Sequence, residues 1–94
     1  MLTEKKAIEL SVELWEWLTE TGKDKSSWPG WNQYYAMHFC FLCEYTSDDS
    51  CYACPYCRKF GHCNYGYYDK WGYALTVKTR KKYAGLFLEQ LKQL

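Results

Sequence analysis

The sequence predicts a small, mainly α-helical zinc-binding domain, with N- and C-terminal amphipathic helices packed around an irregular, cysteine-rich zinc-knuckle segment. Three observations lead there. Apolar residues recur with a helical period at both ends of the chain but not in its middle. All six cysteines fall between Cys40 and Cys63, and the rest of the chain has none. A chain of 94 residues lies near the low end of what a single apolar core stabilises, so a metal staple suits its size.

The chain reads as one domain in four stretches: a first helix over 1–22, a Trp- and Tyr-rich connection over 23–39, the metal segment over 40–63, and an aromatic loop with C-terminal helices over 64–94. In the first helix Thr3 is the expected N-cap and Gly22 the stop. At 100° per residue, Lys5, Glu9, Glu13, Glu16 and Glu20 share one narrow sector. Ala7, Ile8, Leu10, Val12, Leu14, Trp15, Trp17 and Leu18 cover the remaining wide arc, which makes this helix a central core element unless one side, at Trp17, is kept for a partner.

Gly22 to Gly30 reads as an ordered loop pinned by Trp28 and Trp31, with Pro29 fixing one dihedral and Gly30 freeing the next. Residues 32–39 then lead into the cysteines as a short helix or turn. Beyond the cysteines, Asp69 is the expected N-cap of a short helix running through Leu75. Thr76 to Thr79 reads as a break, with Thr79 capping a last helix from Arg80 to Gln93. That helix places Tyr83, Ala84, Phe87, Leu88, Leu91 and Leu94 in one arc.

Cys40 with Cys43, and Cys51 with Cys54, form two C-x2-C pairs joined by seven residues. Each pair aims two thiolates at one ion, and tetrahedral zinc takes four such ligands in a structural site. Cys40, Cys43, Cys51 and Cys54 are the first-choice ligands, with Cys63 an alternate for Cys51 or Cys54, and Cys57 a further alternate. An iron–sulfur cluster is the competing reading, because Cys51, Cys54 and Cys57 make a C-x2-C-x2-C run that a remote Cys40 would complete. His38, two residues before Cys40, is read as an orienting or hydrogen-bonding group, and His62 as a weaker ligand candidate than the adjoining Cys63. Disulfides are not expected: the cysteines are clustered rather than spread, and no signal core or membrane-spanning run is present, which points to a soluble, cytoplasmic chain.

A catalytic role is not expected. An all-thiolate zinc site is closed and a poor Lewis acid, and the sequence lacks the zinc-deaminase pattern, a phosphate-binding glycine loop and a nucleophile elbow. What stands out instead is aromatic content, with five Trp, ten Tyr and four Phe. Rings beyond those the core needs favour interfaces. Charge is divided too: residues 1–57 hold four lysines against nine acids, and residues 58–94 hold eight cations against two acids. Either the halves face each other and cancel, or the second presents a basic face to an acidic partner.

The elements Cys40-Phe41-Leu42-Cys43-Glu44-Tyr45, Cys51-Tyr52-Ala53-Cys54-Pro55 and Gly61-His62-Cys63, together with Trp28-Pro29, Trp71 and Lys81-Lys82-Tyr83-Ala84, resemble a family of small zinc-binding proteins of bacteriophages and prophages. The resemblance covers about two-thirds of the chain. It implies a phage accessory protein in a bacterial cytoplasm that binds a host or phage protein, host defence systems included. It carries no activity with it, and it implies that Cys57 is the most dispensable cysteine. Nucleic acid is the alternative partner, through Lys70, Lys78, Arg80, Lys81 and Lys82 interleaved with aromatic rings. Oligomeric state is not legible.

Overall fold

The computed structural model describes residues 3–30, 41–42, 54–61 and 66–94, and among these every regular element is helical. Helix α1 spans Glu4–Thr21, a 3-10 turn follows at Lys25–Ser27, α2 spans Pro55–Phe60, α3 spans Tyr67–Gly72 and α4 spans Val77–Leu91. The mainly helical expectation holds. No described helix is long and apolar enough to cross a membrane.

The ends of α1 follow from local chemistry. Thr3 is extended, and its hydroxyl accepts from the Lys6 backbone N–H at 3.1 Å, satisfying one of the donors a helix start leaves open. At the other end Gly22 takes the left-handed region (φ 67°) and donates its N–H to the Leu18 carbonyl at 2.9 Å. Space demands glycine here as well, since a Cβ would stand 2.5 Å from Val77 Cγ1. That close approach, together with Gly85 lying against Thr19, runs α4 antiparallel to α1.

The core forms where these two helices meet. Ala7, Leu10, Leu14, Trp15 and Leu18 of α1 are buried with Ala84, Phe87, Leu88 and Leu91 of α4. Trp28, Phe41, Leu42 and Tyr56 close the cluster, and Ile8, Val12 and Trp17 pack half-buried at its edge. Each fully buried large apolar side chain stabilises the fold by about 1.5–3 kcal/mol, against less than about 1 kcal/mol for an exposed ion pair, so this cluster dominates. Trp15 joins three elements, with ring centroids 4.6 Å from Phe87, 4.9 Å from Trp71 and 5.8 Å from Tyr68.

The loop after α1 is pinned as expected, at least at Trp28. Its ring meets Phe41 edge-on at 5.7 Å and crosses Gly30 so closely that a Cβ there would fall 2.4 Å from it. Lys25 is buried in the same loop, donating from its ammonium to the Tyr68 hydroxyl at 2.8 Å.

Both ends of two helices differ from the expectation. Helix α3 begins at Tyr67 behind Gly66, not behind Asp69, and stops at Gly72 rather than Leu75. Asp69 sits in its first turn, where a carboxylate complements the positive helix end as well as a cap would. Helix α4 begins at Val77 rather than Arg80, because Thr76 is the extended residue and accepts from the Thr79 N–H at 3.1 Å. Thr79 is thus inside the helix, and α4 closes at Leu91 rather than Gln93. The turn or helix expected over 32–39, Trp31, His38, Cys40, Cys43, Cys51, His62 and Cys63 lie outside the described residues.

Candidate functional site

Three features of the described surface bear on function. The first is the thiol pair of α2. Cys54 is its N-cap, Pro55 fills the first helical position, where the missing N–H costs nothing, and Cys57 follows one turn on. Both cysteines are half-buried. The turn that carries them is clamped to the core by Tyr56, which is 2% exposed, donates its hydroxyl to Gln90 Oε1 at 2.6 Å and packs on Phe87 at 4.9 Å. Cys54 is extended at the cap and Cys57 lies three residues on, inside the helix, the spacing of a C-x2-C pair. Two soft sulfur donors of this kind suit zinc or an iron–sulfur cluster. A structural zinc site takes four such ligands, and the described residues contain no group of three or more.

The second feature is an exposed apolar ledge where α3 hands over to α4. Tyr73 is 79% exposed, Leu75 95% and Val77 49%. Tyr73 and Leu75 lie past Gly72, where α3 ends, and Val77 is the first residue of α4. Around the ledge Lys70, Lys78, Lys81 and Lys82 are all exposed. Sequence reasoning placed Leu75 inside a helix and missed the ledge; the signal that would have found it is the pair of bulky residues between Gly72 and the Thr76 cap.

Third, two of the ledge lysines lie against a tyrosine pair. Tyr67 and Tyr83 stack at 6.5 Å, with Lys70 Nζ 5.8 Å and 5.9 Å from the two ring centroids and Lys82 Nζ 5.4 Å from Tyr83. A cavity of about 460 Å³ opens beside them, lined by Tyr56, Phe60, Gly61, Gly66, Tyr67, Lys70 and Gln90. Among the described residues that lining holds a cation and an amide but no carboxylate.

Of the predicted basic residues, the fold therefore gathers Lys70, Lys78, Lys81 and Lys82 and commits Arg80 elsewhere, to Asp24 at 3.2 Å. Arg58 is likewise committed, to Glu4 at 2.6 Å. Both pairs join the acidic N-terminal half to the basic C-terminal half, so part of the charge division cancels inside the fold. Glu9, Glu13, Glu16 and Glu20 of the first half and Lys70, Lys78, Lys81 and Lys82 of the second are exposed.

No family model, no curated protein and no solved structure matches this chain.

Proposed function

We propose that the chain is a zinc-stabilised phage accessory protein that works as a protein–protein interaction module, acting on a host or phage protein in the bacterial cytoplasm. The observation that carries the interaction reading is the ledge. Tyr73 and Leu75 stay in water at the turn between two helices, although burying either within this chain would stabilise the fold. Exposed aromatic and aliphatic side chains ringed by polar groups are the anatomy of a binding patch.

The zinc reading is supported by the thiol pair on the first turn of α2. Cys40 and Cys43 would supply the other two ligands beside Cys54, whose partner is Cys57 or, on the sequence pairing, Cys51, with Cys63 in reserve. The ion would tie the cysteine segment to α2, and so to the core through Tyr56. It would supply folding energy and not a reacting group.

The module reading is tested by affinity capture from bacterial lysate with the zinc-loaded chain and with a Tyr73→Ala/Leu75→Ser variant. A specific protein retained by the first and lost by the second is expected; equal retention by both sinks the reading. Elemental analysis tests the metal, with one zinc per chain expected and iron with inorganic sulfide assigning the cluster instead.

A second reading, nucleic-acid binding, is favoured by the tyrosine pair with Lys70 set against both rings, since rings and cations together hold single strands. Gel-shift titration over salt tests it: a phosphate-binding surface weakens steeply as salt rises, and no shift at low salt removes it.

A further inference from the structure

We infer that the ledge receives the acidic face of α1 from a second copy of this chain, so that the protein assembles head to tail. The inference rests on the protein-binding reading of the ledge and adds the occupant.

Charge left over within one molecule points to it. Glu9, Glu13, Glu16 and Glu20 are all exposed on α1, and no ion pair joins any of them to a cation among the described residues. Lys70, Lys78, Lys81 and Lys82 are exposed around the ledge, and no carboxylate among the described residues pairs with them. Four negative charges on one face thus answer four positive charges on the other. Apolar character matches as well, because the glutamate sector of α1 is flanked by half-buried Val12 on one side and half-buried Trp17 on the other. Val12 and Trp17 are suited to covering Leu75 and Tyr73 while the charges pair around them.

One molecule cannot close this contact on itself. The ledge adjoins the C-terminal end of α1, where Gly22 meets Val77 and the Lys81 stem. From there the glutamates run back along the helix, and at 1.5 Å per residue Glu9 lies roughly 16 Å from Glu20. A ledge can reach the Glu20 end of its own helix and no further. A second molecule can lay the whole sector across it, and because the two faces differ, the contact is heterologous and leaves one free face on each end.

The test is the mass in solution of the full zinc-loaded chain, by sedimentation and light scattering over concentration and salt. Assemblies larger than a monomer are expected at low salt and lost at high salt. Two variants resolve the faces: Glu9→Gln/Glu13→Gln/Glu16→Gln/Glu20→Gln, and Lys78→Gln/Lys81→Gln/Lys82→Gln. Every substituted side chain is exposed, so circular dichroism should match wild type. Each variant alone is expected to be monomeric, and their equimolar mixture to form a 1:1 dimer and nothing larger. A wild-type chain that stays monomeric at low salt overturns the inference without needing either variant. So does a variant that still self-associates, or a mixture that does not pair. Assembly seen only with added single-stranded oligonucleotide overturns it and assigns the ledge to nucleic acid. A monomer whose captured partner is lost on Tyr73→Ala/Leu75→Ser overturns the self-contact alone and leaves the protein-binding reading standing.

Discussion

Phe87 is the residue whose removal most directly tests how this fold is held. It is 4% exposed on α4, and its ring lies 4.6 Å from Trp15 of α1, 4.9 Å from Tyr56 of α2 and 5.7 Å from Tyr68 of α3. Truncating a buried phenylalanine to alanine costs about 3–5 kcal/mol, the lost transfer of the ring plus the cavity left behind. Here the upper part of that range is expected, because each aromatic pair contributes about 0.5–1.5 kcal/mol beyond area alone. Domains of this size have about 5–15 kcal/mol in total, so Phe87→Ala removes about a quarter or more of it. Phe87→Leu keeps most of the apolar volume and loses only the ring pairing, for roughly 1–3 kcal/mol. Urea unfolding followed by circular dichroism, with zinc present throughout, measures both. The melting temperature of Phe87→Ala should fall by roughly 15–30 °C. Leu86→Ala is the control: its neighbour on the same helix is 36% exposed and should change stability by less than about 0.5 kcal/mol. A cost below about 1 kcal/mol for Phe87→Ala, or equal costs at positions 86 and 87, would refute the packing described.

Gly22→Ala should destabilise by about 1–3 kcal/mol in the same assay, since it forces a side chain into the left-handed region and against Val77; a neutral result would mean that the α1–α4 approach is looser than drawn. Tyr56→Phe removes only the hydroxyl that donates to Gln90 and should cost about 0.5–1.5 kcal/mol, with a tryptophan fluorescence spectrum like wild type. Arg58→Ala breaks an exposed pair with Glu4 and should cost less than about 1 kcal/mol, with the difference from wild type shrinking in high salt; a salt-independent loss would show that the pair is not what Arg58 contributes. Cys54→Ser, which removes the ligand common to both pairings, is expected to lose zinc, measured by native mass spectrometry and chelator competition, and to lower the melting temperature, because zinc binding and folding are coupled in small domains. Full zinc retention by Cys57→Ser with loss on Cys51→Ser would return the site to the sequence pairing.

The two long helices were legible from local chemistry alone. Thr3 and Gly22 have side chains, or the lack of one, that act on the backbone within four residues, and an apolar arc every 3.6 residues says which side of a helix is buried. The same reasoning failed at Thr76 and Thr79, two equally good caps three residues apart. Which one is extended depends on where the chain leaves α3, and that follows from packing against Trp15 and Phe87. Cysteine spacing suits a metal but leaves the ligand set open, since C-x2-C describes Cys51–Cys54 and Cys54–Cys57 equally well. Of these, the described residues include Cys54 and Cys57, at the cap and inside the first turn of α2, which Pro55 starts and Tyr56 anchors.

What the sequence by itself determined is therefore what depends on near neighbours: the cap and stop of α1, the buried arcs of the two long helices, an acidic sector on α1 and a cluster of thiols that suits a metal. What only the tertiary structure decided is which groups are covered. Leu75 and Leu91 are the same residue with the same affinity for an apolar interior, yet one is 95% exposed and the other 1%. Arg80 and Lys81 are adjacent cations, yet one reaches Asp24 while the other has no acid partner among the described residues. Burial and pairing are properties of what lies across the fold, and the chain that lies across is many residues away.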